Sequence, residues 1–271
     1  MGSALRLLVA TWGVVCLLVA PAYAQPAAPS GLSVGGSAVM AAAVVQAVFA
    51  DVAASPVSAT LTTTAGNAVV VYVFGSAAFT QTAGDTLTAD RSRNASGDLK
   101  TLYSNLNVAG GSTTYTFTNA SGAMSMIVVE VSGLLTAAAF DASADTDFSI
   151  ATTHSSGTTG TTAQADEFVL AGFHFDGSGS TGFTSLSNGF TLAISPASLT
   201  MGAGINQRCA VAYLITSSTG TFETTLTSDN AAGDAMIGTY KAAAAGAAVT
   251  YPMLERSARG IERGILIGEV R

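Results

Sequence analysis

Short runs in which apolar and polar residues alternate recur about every 10 to 15 residues along the chain, with Gly, Asn, Asp and Ser between them. In the run Thr114–Thr118, Tyr115 and Phe117 lie on one side and the threonines on the other. This period of two is typical of a strand that buries one face. The run Ala68–Phe74 is apolar throughout, which favours a central strand covered on both faces. Because helical periodicity is weak here, the pattern predicts an all-β fold.

The predicted strands are rich in β-branched and aromatic residues and are bounded by turn residues. They are Val44–Val52, Val57–Thr63, Ala68–Phe74, Leu99–Asn105, Thr113–Thr118, Ser125–Val131, Phe168–Phe175, Gly189–Ile194, Cys209–Thr216, Phe222–Thr227 and Ala235–Tyr240. This regular spacing of short strands favours a sandwich of antiparallel sheets.

A weak internal repeat relates the two halves of the chain. The pairs matched at a shift of 110 residues are Tyr103 with Tyr213, Gly110 with Gly220, Thr114 with Thr224, and Met126 with Met236. Upstream, at a shift of 100 residues, Ala68–Val70 aligns with Phe168–Leu170. Two related halves suit a double Greek key that closes into one antiparallel, jelly-roll-like β-sandwich, which is the fold we predict. Two tandem immunoglobulin-like sandwiches are the alternative.

Residues 1–24 have the pattern of a secretory signal peptide. Arg6 precedes the apolar run Leu7–Ala20, and Ala22-Tyr23-Ala24 forms a site for signal peptidase. The run is shorter than the roughly 20 residues that a membrane-spanning helix needs, so we expect no transmembrane anchor in the mature chain. We therefore expect cleavage before Gln25 and a secreted, periplasmic or cell-surface protein.

The rest of the chain divides into three parts by composition. Residues 25–37 form a linker rich in Pro, Ala, Gly and Ser, and residues 38–242 contain all the predicted strands. Residues 243–271 form a C-terminal tail in which apolar residues recur at helical spacing between glycines. We expect a single β-sandwich domain over 38–242.

Charge and cysteine usage narrow the possible partners. Only 10% of the residues are charged and the formal net charge is −7, so the basic stripe of a nucleic-acid-binding protein is missing and no nucleic-acid partner is expected.

After cleavage Cys209 is the remaining cysteine. It shares a predicted strand with Val211 and Tyr213, which favours a buried, unreactive thiol.

The candidate catalytic motifs are weak. Gly31–Gly35 matches the G-x-S-x-G pattern of a hydrolase, but it lies in the linker without the preceding strand that such a serine requires. His154 and His174 are the two histidines, and His174 with Asp176 could form half of a metal site or a general base. Because His174 alternates with Phe173 and Phe175, we expect it to face solvent or a polar pocket. We predict no enzymatic activity, no catalytic residue and no required cofactor.

Three acidic residues form the one candidate metal site. Asp141, Asp145 and Asp147 place carboxylates at alternate positions, as at the start of a calcium-binding loop. Position six of that loop would be Thr146 and position twelve Thr152, so the segment is not an EF-hand. In an extended strand the carboxylates would share one face. Calcium binding with help from another loop is one interpretation, and a solvated acidic edge that discourages sheet-to-sheet pairing is the other.

Several segments together carry a resemblance to a known class of module. They are Thr62–Asn67 before an apolar strand, Tyr103 with Asn107–Gly111, Thr116–Thr118, Val129–Leu134, and Ile237–Lys241. In these segments the chain resembles a jelly-roll or immunoglobulin-like β-sandwich module of uncharacterised secreted bacterial and phage surface proteins. The resemblance implies a surface or structural role and brings no catalytic residues with it.

The resulting functional expectation is a non-enzymatic, secreted structural or adhesive protein, with glycans or other surface proteins as partners. A carbohydrate-binding module is the first alternative, and a phage or virion surface component is the second. The mature chain lacks Trp for stacking on sugars, because Trp12 lies in the signal peptide. Tyr251 is the one tyrosine of the mature chain outside a predicted strand.

Overall fold

The structure is a computed structural model that describes residues 41–95, 98–120, 122–176, 183, 185–194 and 207–243. None of the described residues is helical. The strands are β1 (Ala43–Val52), β2 (Val57–Thr63), β3 (Ala68–Gly75), β4 (Phe79–Ala83), β5 (Thr88–Ala95), β6 (Asp98–Asn105), β7 (Gly111–Asn119), β8 (Met124–Ser132), β9 (Phe140–Ser155), β10 (Asp166–Asp176), β11 (Ser185–Leu186), β12 (Thr191–Leu192), β13 (Gln207–Ser217) and β14 (Thr225–Lys241). The signal peptide, the Gly31–Gly35 motif, the linker and residues 244–271 lie outside the described residues.

These strands form three antiparallel sheets. Sheet I has the order β1-β8-β3-β6-β5, and sheet III has the order β2-β7-β4. Sheet II runs β9-β14-β10-β13-β12, with the short β11 also paired to β14. The all-β antiparallel sandwich predicted from the sequence is confirmed.

The internal repeat is visible in the strand order. Sheet I and sheet II have the same order when β1, β8, β3, β6 and β5 are matched with β9, β14, β10, β13 and β12. Two of the aligned pairs lie in matched strands, because Tyr103 is in β6 and Tyr213 in β13, while Met126 is in β8 and Met236 in β14. The pairs Gly110 with Gly220 and Thr114 with Thr224 include residues outside the strands. Within β1–β8, sheet III covers one face of sheet I, and the strand orders are those of a jelly roll except that β5 pairs with β6 in sheet I instead of joining β4 in sheet III. The repeat is therefore confirmed at the level of topology.

In the second half, strands that are separate in the first half are fused. Strand β14 is 17 residues long and corresponds to β7 and β8 together, and β9 is 16 residues long. Register shifts interrupt their pairing near Ala231 and Tyr240, and such bulges bend a sheet. Backbone hydrogen bonds from Ser156 to Thr224 and from Thr159 to Phe222 continue the curl beyond β9. Sheet II therefore curves, and its concave face is the one that points away from sheet I.

Three apolar clusters hold these layers together. The middle core lies between sheets I and II and includes Tyr72 and Leu102 from the first half with Phe168 and Met236 from the second. A second core lies between sheets I and III, and a third fills the concave face of sheet II. Because both halves contribute to the middle core, they do not form two independent tandem sandwiches. Sheet I lies between two of these cores, which explains why its strand β3 is apolar at every position.

The sequence pattern missed β4, β5, β9 and the two-residue β11. These strands are short or carry polar residues such as Asp90, Arg93 and Asp145, whose partners lie across the fold. Strand β2, where buried and exposed residues alternate without interruption, has the predicted bounds. No helix in the described part of the chain is long and apolar enough to span a membrane.

Candidate functional site

A row of polar side chains crosses the middle core where sheets I and II face each other. On sheet I, Phe74 of β3 is opposite Lys100 of β6, and Lys100 is opposite Arg93 of β5. Directly opposed residues of antiparallel strands point to the same face. These side chains, with Ser125 of β8 beside Phe74, therefore all face sheet II.

Sheet II supplies the facing half of this row. His174 of β10 is opposite Cys209 of β13 on one side and opposite Asp234 of β14 on the other. Asp234 is in turn opposite Asp147 of β9. Two neighbouring acidic residues on sheet II thus face two neighbouring basic residues on sheet I. We call the following set the inter-sheet row: Arg93, Lys100, Phe74 and Ser125 of sheet I, and Asp147, Asp234, His174 and Cys209 of sheet II.

The centre of the inter-sheet row is a buried Lys–Asp–His cluster. Lys100 Nζ makes an ion pair with Asp234 Oδ2, and His174 Nδ1 lies 3.3 Å from the same oxygen atom. The side chains of Lys100 and His174 are completely buried, and that of Asp234 is 7% exposed. The Phe74 ring stacks on the His174 ring, with centroids 3.4 Å apart and an interplanar angle of 14°. The cluster thus lies in a low-dielectric setting, where an unpaired charge would be costly.

A glycine next to Asp234 allows strands β14 and β10 to come together at this point. A Cβ atom on Gly233 would lie 2.1 Å from the backbone oxygen of His174 and 2.9 Å from the ring of Phe148. No side chain fits there, so this close approach requires glycine. The same approach places Asp234 opposite His174 in the middle core.

The ion pairs continue from the buried centre to the surface. Arg93 contacts both Asp145 and Asp147, and its Nη2 atom lies 2.5 Å from Asp147 Oδ2. Arg91 binds the same Asp145 carboxylate. Exposure of the acidic side chains rises from 7% at Asp234 to 53% at Asp147. The row is therefore an ionic connection between the two halves that runs from the rim into the core.

The three acidic residues of the candidate calcium site lie in β9 but have cationic side chains as partners. Asp145 and Asp147 bind Arg91 and Arg93, whereas Asp141 lies beyond a bulge and is 3.1 Å from Lys241 Nζ. Within the described segments, no group of three or more His, Cys, Asp or Glu side chains is arranged to hold a metal ion. Calcium binding at these residues stays a prediction from the sequence.

The expectation that His174 faces solvent or an outer polar pocket was wrong. Both faces of β10 are buried, so the alternation of His174 with Phe173 and Phe175 separates two cores rather than a core from solvent. Asp234 on a neighbouring strand provides a carboxylate partner, whose Oδ2 atom lies 3.3 Å from His174 Nδ1. His154 is also fully buried and packs against Phe148 and Phe175 on the concave face of sheet II.

Cys209 is buried, as the sequence predicted. Its side chain belongs to the middle core with that of Val211, and Tyr213 packs partly against the same core. Burial raises the pKa of the Cys209 thiol to about 12, although a hydrogen bond with Ser125 opposes that shift. At neutral pH the thiol is protonated, which favours an unreactive cysteine.

A second buried ionisable cluster lies farther along sheet II. Glu167 of β10 is opposite Lys241 of β14, and Lys241 binds Asp141. Burial, followed by contact with the Asp141 carboxylate, raises the pKa of Glu167 to about 8. Burial opposes ionisation of Asp141 as well, but the N–H of Ala163 and the Lys241 amine outweigh it and lower the pKa of Asp141. Glu167 therefore carries a proton at neutral pH beside an ionised carboxylate.

The outer face of sheet III is an array of hydroxyl groups. Thr60 and Thr114 are joined by a hydrogen bond of 2.7 Å, and Ser58 and Thr116 by one of 2.9 Å. Neighbours on one strand are about 6.8 Å apart along this face, and adjacent strands are about 4.8 Å apart. We call the following set the hydroxyl face: Ser58, Thr60 and Thr62 of β2, Ser112, Thr114, Thr116 and Thr118 of β7, and Thr80 of β4.

The sequence analysis did not single out Lys100 or Asp234. A signal was present, because Lys100 alternates with the core residue Leu102, and Asp234 alternates with Met236. A charged residue two positions from a core residue in a strand shares the buried face. That Lys100 and Asp234 meet follows from the packing of sheet I on sheet II, which no local pattern reports.

No protein-family model matches the chain, and neither the curated proteins nor the solved structures include a significant match.

Proposed function

We propose that this protein is a non-enzymatic, secreted structural or adhesive surface protein. The observation that carries the proposal is the position of its reactive groups. Lys100, His174, Asp234 and Cys209 are all buried between the two larger sheets, where they connect the halves of the molecule. A general base or nucleophile must come within hydrogen-bond reach of its substrate. Groups used instead to join two sheets support a structural role.

The signal-peptide pattern of residues 1–24 and the resemblance to secreted surface modules support the extracellular part of the proposal. The test is a deletion of the gene in its native host, followed by protease treatment of intact cells and an adhesion assay under flow. We expect the protein to begin at Gln25, to be removed from intact cells by the protease, and to be required for full adhesion or envelope integrity. A cytoplasmic protein that retains Met1, or a deletion strain unchanged in both properties, would contradict the proposal.

Carbohydrate binding is the second candidate function, and the hydroxyl face favours it. Its rows of hydroxyl groups can donate and accept hydrogen bonds with the hydroxyl groups of an extended polysaccharide. Such a contact would use several weak hydrogen bonds in place of stacking on aromatic rings.

Binding to insoluble polysaccharides in a pull-down assay tests this second function. The variant with Thr60→Lys and Thr114→Lys places two long charged side chains on the hydroxyl face, and we expect it to lose at least about tenfold in affinity. Thr152→Lys, at an exposed position of β9, is the matched control and should bind like the wild type. Equal binding by all three proteins, or none to any polysaccharide, would rule out the hydroxyl face as a glycan site.

A further inference from the structure

We propose that the side chains of Lys100 and Asp234 become joined by an amide bond, which the folded protein forms by itself. The bond would link β6 of the first half to β14 of the second half across the middle core. This inference goes beyond the proposed function, because it rests on the geometry of the inter-sheet row alone.

The two reacting groups are already in contact. Lys100 Nζ makes an ion pair with Asp234 Oδ2, and this oxygen atom is bonded to Cγ, the carbon that an amine would attack. Both side chains extend from strands that are paired within a sheet. Groups held in contact in this way react as if at a very high local concentration. The fold therefore provides the proximity that the reaction needs.

The contact is poorly satisfied as an ion pair. An ammonium group has three N–H donors, yet Lys100 Nζ has no hydrogen-bond partner beyond its ion pair within the described residues. The second oxygen of Asp234, Oδ1, also has no hydrogen-bond partner there. Two buried charges with so few partners are strongly disfavoured.

The reaction needs no external reagent. Within the ion pair, a proton passes from Lys100 Nζ to Asp234 Oδ2, which leaves an amine and a carboxylic acid in contact. The lone pair of the Lys100 amine then attacks Cγ of the acid, and a C–N bond forms. His174 accepts a proton from the nitrogen and delivers it to Oδ2. The C–Oδ2 bond then breaks, and one water molecule leaves. The amine and the acid thus become one amide and one water, and His174 returns to its starting state.

His174 has the position that this proton transfer requires. Its Nδ1 atom is 3.3 Å from Oδ2, the oxygen atom that also contacts the amine. The stacked ring of Phe74 holds the imidazole in place. His174 is therefore the catalytic residue of the proposed reaction. Apolar neighbours of the middle core, including Leu102 and Met236, exclude the bulk water that would hydrolyse the product.

Mass spectrometry of the mature wild-type protein tests the proposal. We expect the folded protein to be lighter than its sequence by one water molecule. Trypsin should fail to cleave after Lys100, and a branched peptide should join residues 94–208 to residues 209–241. Denaturation before digestion should leave this branched peptide intact.

Three variants test the roles of the individual side chains in the reaction, and a fourth is the control. Lys100→Arg keeps a cation beside Asp234 but removes the nucleophile, so it should show the full mass and no branched peptide. Asp234→Asn should form the same amide with loss of ammonia instead of water. His174→Gln should slow bond formation by roughly 100-fold or more during refolding. Lys241→Arg, which changes the ion pair with Asp141, is the matched control and should form the bond like the wild type.

Full mass of the folded wild-type protein, together with normal cleavage after Lys100, would overturn the proposal. Loss of water that maps to another position in the chain would overturn it as well. Because these readouts come from the wild-type protein, the result does not depend on whether any variant folds. They are also independent of cell location and adhesion, so failure here is distinguishable from failure of the proposed function.

Discussion

The carboxyl group of Glu167 lies beside Asp141 in a buried part of sheet II, and its pKa is raised to about 8. In the unfolded chain the same group ionises near its ordinary value of 4.5. Between these two values the unfolded state has released the proton that the folded state retains. The unfolded state therefore binds fewer protons than the folded state. The protonated Glu167 contributes to the free energy of unfolding in full below pH 4.5, and this contribution is lost as the pH rises through 8.

Glu167→Gln should remove this pH dependence, because glutamine resembles the protonated acid and does not ionise. We expect the free energy of unfolding of the variant to rise by about 2 to 4 kcal/mol relative to that of the wild type as the pH increases from 5 to 8. Urea unfolding at a series of pH values measures the difference. Asp141→Asn should reduce the slope of the free energy of unfolding against pH, because it removes the neighbouring charge. Glu223→Gln, at a carboxylate whose pKa is lowered, is the control and should leave that slope unchanged. A wild-type slope that persists in Glu167→Gln would contradict this assignment.

Cys209 provides a second test at the scale of a single residue. Its burial in the middle core and its raised pKa predict that a maleimide labels the folded protein negligibly and labels it fully in denaturant. Mass spectrometry after timed labelling measures both rates. Rapid labelling of the native protein, or a disulfide-linked dimer on a non-reducing gel, would show that the thiol is accessible.

At the scale of the strand, Gly172 of β10 permits sheet I to pack on sheet II. A Cβ atom there would come within 2.6 Å of the Tyr72 ring from the facing sheet. We expect Gly172→Ala to lower the free energy of unfolding by about 1 to 3 kcal/mol, because the buried ring would have to move. Gly160→Ala, where no atom lies within 4 Å of the added carbon, should change it by less than about 0.5 kcal/mol. Equal effects of the two substitutions in urea unfolding would show that the Tyr72 contact is not tight.

The end of β14 defines a second element-scale prediction. The N–H groups of Ala242 and Ala243 donate hydrogen bonds to the carbonyl groups of Asp166 and Gly133, so the chain is tied to the sheets up to that point. A chain that ends at Ala243 should melt within about 3 °C of the mature protein. A chain that ends at Thr239 lacks the buried Tyr240 and should lose much more. Aggregation of the chain that ends at Ala243 would show that the tail belongs to the fold.

Comparison of the strands shows which features are readable from the sequence. Strand β2 alternates between core and solvent, so its bounds follow from local pattern. Strands β5 and β9 are held by ion pairs across the fold, such as Arg93 with Asp145, and their polar residues resemble those of loops. The prediction that His174 faces solvent or a polar pocket was wrong for a related reason. Alternation reports two faces of a strand, but it does not report that both are covered.

At the scale of the whole molecule, the inter-sheet row and the middle core join two halves with the same strand order. Each half has an additional core of its own, on the far side of sheet I or sheet II. Separation of the halves would expose the apolar surface of the middle core, to which both halves contribute. The structure therefore predicts that neither half is stable alone and that the molecule unfolds as one unit.

Differential scanning calorimetry of the mature protein is the most direct measurement of this shared core. We predict a single transition whose calorimetric enthalpy equals its van't Hoff enthalpy, because loss of either half removes one wall of the middle core. Asp234→Ala should move that single transition to lower temperature without splitting it. Two resolved transitions in the wild-type protein, each corresponding to one half, would contradict the shared core.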